Sequence, residues 1–382
     1  MRISGLSIKS LRNHIETDLE LSDGLNVFYG LNGSGKTSIL EGVSICGFSK
    51  SFLPCSDSSL VRNGDEFYFV SANSKNDLDI DYRIAVRYAN GQKKQIKSTL
   101  GDNLLPKDVI GEIPMIILSP DYKAITFGAP EDRRQFIDRV LSQASRIYLD
   151  DLMKYRHTLK QRNSLLFRAK ADRSVDYSEL EPWTDLLVRT GVDIILRRRK
   201  FIEEFTPKFN ETYRDVVEGR EVVDIKYVSN GFDDISEFAK ISKDDLIGYY
   251  LNIFARNRDS EIQRGTTIFG PQKDDIQILI NNGIARDYAS QGQHKSLLIS
   301  LKFTEFYILK DKKNETPVIL LDDIFSELDE ERTKKVFDII EANSAQTFIT
   351  LTDAQQIKKV IGSKIHWSFF KLNNGIAVKE IN

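Results

Sequence analysis

Three glycines, a lysine and a threonine stand at fixed spacing in Gly30, Leu31, Asn32, Gly33, Ser34, Gly35, Lys36 and Thr37, with Ser38 next. Glycines let backbone amides turn inward without Cβ obstruction, a lysine ammonium meets β- and γ-phosphate oxygens, and a threonine hydroxyl ligates Mg²⁺. The chemistry is that of a polyphosphate cradle, and a plain glycine-rich turn is the alternative. Leu25 to Tyr29, mostly apolar, reads as a strand, and Ser38 to Val43 has helical spacing. The loop therefore opens a helix whose free N–H groups and positive dipole end add to the cradle.

A second constellation lies far downstream. Val318, Ile319, Leu320 and Leu321 form an apolar strand that ends in Asp322 and Asp323. An acid at such a strand end is the magnesium-holding partner of a phosphate loop. Asp322 would act through water on the Mg²⁺ that Thr37 holds, and Asp323 is placed to orient or deprotonate an attacking water. A strand terminus with no further role is the alternative. Thr37 and Asp322 must meet at one ion although they are 285 positions apart. A compact nucleotide-binding domain does not need so long an interval. The expected division is a discontinuous head, residues 1–130 and 262–382, with a mainly helical arm lobe, 131–261, inserted.

Composition sets the bounds. With 382 residues, 41% hydrophobic and 29% charged, the chain reads as a soluble globular protein of more than one lobe. A net charge of −2 means that any nucleic-acid surface is a local patch. No apolar run approaches the roughly 18 residues of a membrane helix, and the N-terminus lacks a signal-peptide core, so no membrane partner and a cytoplasmic location are expected. Cys46 and Cys55 lack metal or redox spacing, and His14, His157, His294 and His366 have no partners at ligand spacing; no structural zinc is expected.

Along the chain, alternating strands precede the loop, and strands at Glu66 to Val70 and Leu78 to Tyr88 lead through Asn90-Gly91, a hairpin signal, to Gln92 to Leu100. That return strand carries Lys93, Lys94 and Lys97, which face either phosphates or solvent. Met115 to Leu118 reads as a buried strand. Beyond Pro130 helical spacing takes over. Seven basic residues between Lys154 and Arg173 stand against one acid, Asp172, and Arg197, Arg198, Arg199 and Lys200 form a second cluster. Such runs are either solvated helical faces or surfaces that track a phosphate backbone. Strands are expected at Glu221 to Val228, Thr266 to Phe269, Asp275 to Ile280, Ile284 to Tyr288 and Thr347 to Leu351, with a helix-capping segment at Ser242 to Asp245. Ser290, Gln291, Gly292 and Gln293 open the helix that precedes the Asp322 strand, and they offer a hydroxyl and helix N–H groups as a second anion site.

The order of phosphate loop, Ser290–Gln293 turn, helix, apolar strand with Asp322 and Asp323, then Ser326-Glu327-Leu328-Asp329 resembles the ATP-binding-cassette (ABC) ATPases. Gly128-Ala129-Pro130-Glu131-Asp132-Arg133-Arg134-Gln135-Phe136-Ile137-Asp138, Gly270-Pro271-Gln272-Lys273-Asp274-Asp275 and Leu320 to Asp329 resemble three signatures of the RecF family of bacterial DNA replication and repair ATPases. Gln272 and Lys273 replace that family's usual His and Arg. The resemblance implies an α/β fold: an ABC-type P-loop ATPase head, with a mixed sheet plus an antiparallel subdomain, and an inserted mainly helical second lobe. It further implies an ATP-sandwiched homodimer in which Ser290, Gly292 and Gln293 of one copy close on ATP and Mg²⁺ held by the other, with Lys36, Asp322 and Asp323 catalytic. Arg12, after the first strand, would reach the phosphates or stand in solvent. The implied function is ATP-dependent binding of double-stranded DNA at gapped junctions during DNA damage repair, the SOS response and replication restart. RecR, RecO and RecA are the implied partners, and slow hydrolysis is implied too; two chemical reasons for it are that Asp323 is shorter than glutamate and that Thr350-Leu351-Thr352-Asp353 offers no histidine toward the γ-phosphate. Lys93, Lys94, Lys97, Arg197, Arg198 and Arg199 are the candidate DNA contacts. A stand-alone SMC-like chromosome-maintenance ATPase without RecR coupling is the alternative.

Overall fold

This computed structural model describes residues 1–172, 177–217, 221–232, 241–358 and 366–380. The chain forms two compact units. The first comprises Met1–Lys123, Asp215–Glu218 and Lys295–Asn382, and the second Ala124–Arg214 and Gly219–His294. Residues 262–294, assigned from sequence to the head, thus group with the second unit. There β9 (Asp275–Ile280) pairs antiparallel with β8 (Val223–Val228) and with the two-residue β10 (Gly283–Ile284).

The first unit holds two sheets. One is antiparallel, in the order β2-β1-β4-β5-β6: β1 is Arg2–Leu11, β2 His14–Glu20, β4 Phe67–Lys75, β5 Asp81–Ala89 and β6 Gln95–Ser98. Ile3 is out of phase with Leu6 and Ile8 by simple alternation, yet all three are buried. A bulge between Ile3 and Gly5 shifts the register and returns Ile3 to the inner face. The other sheet has the order β14-β13-β3-β12-β11-β7, and only β14 runs antiparallel to its neighbour. Here β3 is Leu25–Tyr29, β7 Met115–Leu118, β11 Val318–Asp322, β12 Thr347–Leu351, β13 Trp367–Asn373 and β14 Ile376–Lys379. Parallel strands covered on both faces read as continuous apolar runs, and β7, β11 and β12 are buried throughout.

Helix Lys36–Phe48 packs against β1, β4 and β5 of one sheet and β11 and β12 of the other. Twelve of its thirteen residues are buried, so it lacks a polar stripe. Two glycines permit the close approach. A Cβ on Gly42 would lie 2.9 Å from Ile8, and one on Gly47 would lie 3.2 Å from the Ile113 carbonyl.

The second unit is built on Pro130–Ala144, Arg146–Asp172 and Tyr177–Val216, helices of up to 40 residues. Ser242 caps helix Lys243–Arg256 by accepting from the Asp245 N–H, as its sequence suggests. Two expected strands are absent. Thr266 to Phe269 is irregular because side chains take its amides: Asn163 Oδ1 accepts from Thr267 N–H at 2.8 Å and Glu261 Oε1 from Ile268 N–H at 3.0 Å. After β10 the chain turns into a short helix, Ala285–Tyr288. Among the described residues no helix is long and apolar enough to cross a membrane.

Candidate nucleotide site

The β3 strand delivers the chain to Gly30, and the loop turns through Gly30, Gly33 and Gly35 at φ of 152°, 78° and 105°. These left-handed values favour glycine, and space also requires it at two positions. A Cβ on Gly30 would lie 2.4 Å from the Leu372 carbonyl, and one on Gly35 2.6 Å from His14 Nε2. Lys36 Nζ donates to the carbonyls of Gly30 and Leu31 at 2.7 and 2.9 Å, folding its ammonium back over the loop. Burial pushes the Lys36 ammonium below its ordinary value, and Asp323 and Asp322 pull it back up. A cleft of about 400 Å³ opens here. Asn32, Gly33, Gly35, Lys36, Thr37 and Ser38 line one side, with Arg12, Asn13, Asp323 and Thr350 around them. Leu31 is exposed and Ser34 buried.

The structure brings together the residues separated by 285 positions: Thr37 Oγ1 donates to Asp322 Oδ1 at 2.9 Å. Thr350, at the end of neighbouring β12, donates to the same oxygen at 2.7 Å. Its Oγ1 also accepts from the Asp323 N–H at 2.9 Å. That bond and one from Ser326 Oγ to the Asp323 carbonyl hold Asp323 at φ 49°, an unusual backbone that turns the acid into the cleft. Burial raises the Asp322 carboxyl above its usual range, hydrogen bonds from Thr350 and Thr37 lower it, and nearby Asp323 raises it. A hydroxyl and a carboxylate meeting at one point form a hard-oxygen donor pair that suits Mg²⁺. Beside them Ser34 Oγ and Asn13 Oδ1 are buried without a partner. The unpaired Ser34 hydroxyl, which can donate, and a cradle with no room for a Cβ at Gly30 and Gly35 fit a bound polyphosphate with its cation.

Arg12 lines the cleft under tight restraint. Its Nε and Nη2 donate to the two carboxylate oxygens of Glu41 at 2.9 and 2.7 Å, and Glu41 is only 2% exposed. This bidentate bond raises the Arg12 guanidinium above its ordinary value. Sequence reasoning missed the residues that buttress the loop. Asn13 Nδ2 donates to the Gly33 carbonyl at 3.1 Å, and His14 Nε2 donates to the Gly35 carbonyl at 3.0 Å. Burial lowers the His14 imidazole, while backbone hydrogen bonds to Gly35 and Gly375 raise it. Gly375, in the turn between β13 and β14, donates its N–H to the Ser34 carbonyl at 2.9 Å. Asn374-Gly375 carries the same hairpin signal as Asn90-Gly91 and could have been read. The partners of His14 are set by distant chain and left no local mark.

In the second unit, Ser290 caps helix Gln291–Lys313. Ser290 Oγ accepts from the Gln293 N–H at 3.2 Å, and Gln293 Oε1 accepts from the Ser290 N–H at 2.7 Å, a reciprocal capping box. Gln293 Nε2 also donates to Glu221 Oε1 at 2.7 Å, and Gly292 is half-buried.

Most candidate DNA contacts are already committed. Arg198 is 2% exposed, donates to Asp138 Oδ1 at 2.8 Å and reaches the Pro271 carbonyl at 2.8 Å, so it cannot meet DNA. Lys94 bonds Asp57 at 2.7 Å and caps the Ser49 carbonyl at a helix end. Lys97 is exposed but 3.3 Å from Asp102; Arg197 is 3.4 Å from Asp151; Arg199 is half-buried and Lys93 exposed. Within the first basic run Arg162 is buried against Glu261, and Arg173 lies outside the described residues. The family-like segments join each other in the second unit. Arg133 pairs with Asp275 through bonds of 2.9 and 3.0 Å, and Arg134 donates to the Asp274 carbonyl at 2.6 Å. Gln272 accepts from the buried Tyr155 hydroxyl and donates to the Phe269 carbonyl at 2.7 Å, whereas Lys273 is exposed.

A parallel sheet feeding a three-glycine loop, an antiparallel sheet across its helix and an acid at the end of β11, two strands over from β3, define a P-loop ATPase head of the ABC and SMC type. The RecF/RecN/SMC N-terminal domain model matches residues 2–373. Relatives named DNA replication and repair protein RecF include that of Chlorobium phaeovibrioides, 36% identical over 96% of both chains. That of Chloroherpeton thalassium is 34% identical over 94% of this chain and 97% of its own. The chain belongs to the RecF family. A solved structure of the recombination mediator protein RecF with ATP, in the RecFOR pathway, matches at TM-score 0.89 and 28% identity, covering 100% of this chain and 98% of that one. An SMC head bound to the C-terminal winged-helix domain of ScpA shares the fold, at TM-score 0.56 and 14% identity over 100% of this chain and 98% of that one.

Proposed function

We propose that the protein is an ATP-dependent DNA-binding ATPase of recombinational repair and replication restart. The observation that carries this reading is the meeting of Thr37 with Asp322, beside a loop whose lysine and unpaired oxygens await a ligand. The similarity to a RecF solved with ATP supports ATP as that ligand. Gly30 to Ser38 hold the triphosphate, and Lys36 exchanges its loop carbonyls for phosphate oxygens. Thr37 and Asp322 hold Mg²⁺, which neutralises phosphate charge when bound. Asp323 orients or deprotonates the attacking water, and its short reach keeps hydrolysis slow. Arg12, oriented by Glu41, faces the same cleft. Ser290, Gly292 and Gln293 of a second copy complete the site, so ATP sandwiches a homodimer. The first unit acts as the head of that dimer and the second unit, with residues 262–294, as its arm. The closed dimer binds duplex DNA beside single-strand gaps, engages RecR and, with RecO, assists RecA loading; hydrolysis resets it.

Gel shift on gapped duplex, with and without ATP and RecR, tests the reading. We expect ATP to tighten binding and Lys36→Ala to remove that effect, with nucleotide affinity falling about 10- to 100-fold. Binding indifferent to nucleotide and to RecR would overturn it.

A further inference from the structure

We infer that His14 is a proton-coupled positioning residue of the phosphate loop: its ring is an imidazolium when a polyphosphate fills the loop, and nucleotide binding takes up the proton that completes it. The inference rests on the ATP reading and adds control by pH to that same site. His14 is fully buried behind the loop. Its Nε2 stands 3.0 Å from the Gly35 carbonyl, which can only accept, so this nitrogen carries a proton. Its Nδ1 stands 2.9 Å from Thr17 Oγ1, and the Thr17 hydroxyl donates to the Gly375 carbonyl at 3.2 Å. A hydroxyl has one proton to give. Beside a neutral ring it serves either Nδ1 or Gly375, and the other acceptor goes without. Beside an imidazolium, the Nδ1 N–H donates to Thr17 and all three bonds stand together.

The chain of bonds closes on the loop. The Gly375 N–H donates to the Ser34 carbonyl at 2.9 Å, so His14 and Gly375 hold the carbonyls of two consecutive loop residues. In a trans peptide the C=O and N–H point opposite ways. Holding the Ser34 and Gly35 carbonyls from behind therefore turns the Gly35 and Lys36 N–H groups toward the cleft that those two residues line. The charges around the ring are committed elsewhere. Arg12 of the β1–β2 turn is held by Glu41, and Lys36 of the following helix rests on the Gly30 and Leu31 carbonyls. Glu16 and Asp18 of β2, and Lys371 and Lys379 of the β13–β14 hairpin, are exposed. Among the described residues no carboxylate acts on the ring, and burial lowers the imidazole. A polyphosphate supplies the missing counter-charge at low dielectric, so phosphate and proton each favour the binding of the other.

The test is calorimetric titration of the full chain with Mg-ATPγS, at pH about 6 and about 8 and in buffers of different ionisation enthalpy. His14→Gln keeps an N–H for the Gly35 carbonyl but cannot be protonated. The ratio of wild-type to variant affinity should fall about tenfold between the two pH values, because the nucleotide favours the protonated ring and the ring loses its proton as pH rises. Near neutral pH the wild type should also take up more protons on binding than the variant. In nitrogen NMR of histidine-labelled protein, one of the four imidazoles should change to the imidazolium pattern on binding, and His14→Gln should lack that signal. Thr17→Val keeps the volume and removes the hydroxyl; it should lose most of the pH dependence, and it carries the test if His14→Gln fails to fold. An affinity ratio flat with pH, equal proton uptake, a ring whose charge is the same with and without nucleotide, or full pH dependence in Thr17→Val would each overturn this inference alone. A wild type that binds no Mg-ATPγS at either pH overturns the ATP reading.

Discussion

The phosphate-loop region of the first unit and the ion-pair network of the second use the same side-chain chemistry to opposite ends. In the second unit Arg133 meets Asp275, Arg198 meets Asp138 and Arg162 meets Glu261, each arginine nearly excluded from water. Around the loop, Lys36 rests on carbonyl oxygens of its own turn and Ser34 Oγ and Asn13 Oδ1 have no partner. A buried charge that has found its counter-charge is architecture, because removing either partner strands the other in a low dielectric. A cation held only by neutral carbonyls, beside unpaired oxygens, remains available to a ligand. Charge content therefore says little about function until pairing is known.

The largest effect that would sharpen this contrast is on stability. Arg162→Ala should destabilise the chain by about 3–5 kcal/mol in urea unfolding, because it strands buried Glu261, and R162M/E261L should recover most of the loss. Recovery absent from the double variant would mean that the pair also contributes through its other contacts, the Ile268 N–H held by Glu261 or the packing of Arg162 on Phe254, over which it lies at 4.7 Å. A smaller effect depends on pH. Burial raises the Asp274 carboxyl to about 6, against hydrogen bonds from Tyr227 and the Asn230 N–H and the nearby Arg198 and Arg134 charges. A raised folded-state value means that the stabilisation is complete below about 3.8 and is lost as pH rises through about 6. The stability difference between wild type and Asp274→Asn should shift by up to about 3 kcal/mol across that window. A difference flat with pH would show that the folded Asp274 carboxyl titrates as it does in the unfolded chain. Smallest is the strain at the loop's buttress. A Cβ on Gly375, at φ 79°, would lie 2.4 Å from the Asn13 carbonyl. Gly375→Ala should weaken ATP binding by calorimetry about fivefold or more, from roughly 1–3 kcal/mol of strain. Gly91→Ala, also at positive φ but with nothing near its Cβ, should leave ATP affinity alone.

Much of the first unit's centre was legible because its signals are local. The loop's glycines, the helix after it and the runs Val318 to Leu321 and Thr347 to Leu351 each carry their own pattern, and β11 and β12 fall where those runs stand. β13, which pairs with β3 beside the loop, has only the Asn374-Gly375 hairpin signal after it to mark it in the sequence. Thr266 to Phe269 has strand composition, yet side chains of Asn163 and Glu261 take its amides, and no local pattern records that. Arg198 sits in a run of four cations that resembles a DNA surface; one helical position separates it from half-exposed Arg197 and places it against Asp138.

By itself the sequence determined the chemistry that neighbouring residues can deliver. Glycines at 30, 33 and 35 permit the left-handed turn, Lys36 and Thr37 follow at fixed offsets on a helix start, and an apolar strand ends in Asp322. These depend on backbone sterics and periodicity, which act over a few residues. Only the tertiary structure decided that Thr37 and Asp322 share a hydrogen bond, that Glu41 holds Arg12, that His14 and Gly375 brace the loop, and which cations are buried. Those outcomes depend on which distant side chain fills the low-dielectric space beside each charge, and packing alone sets that.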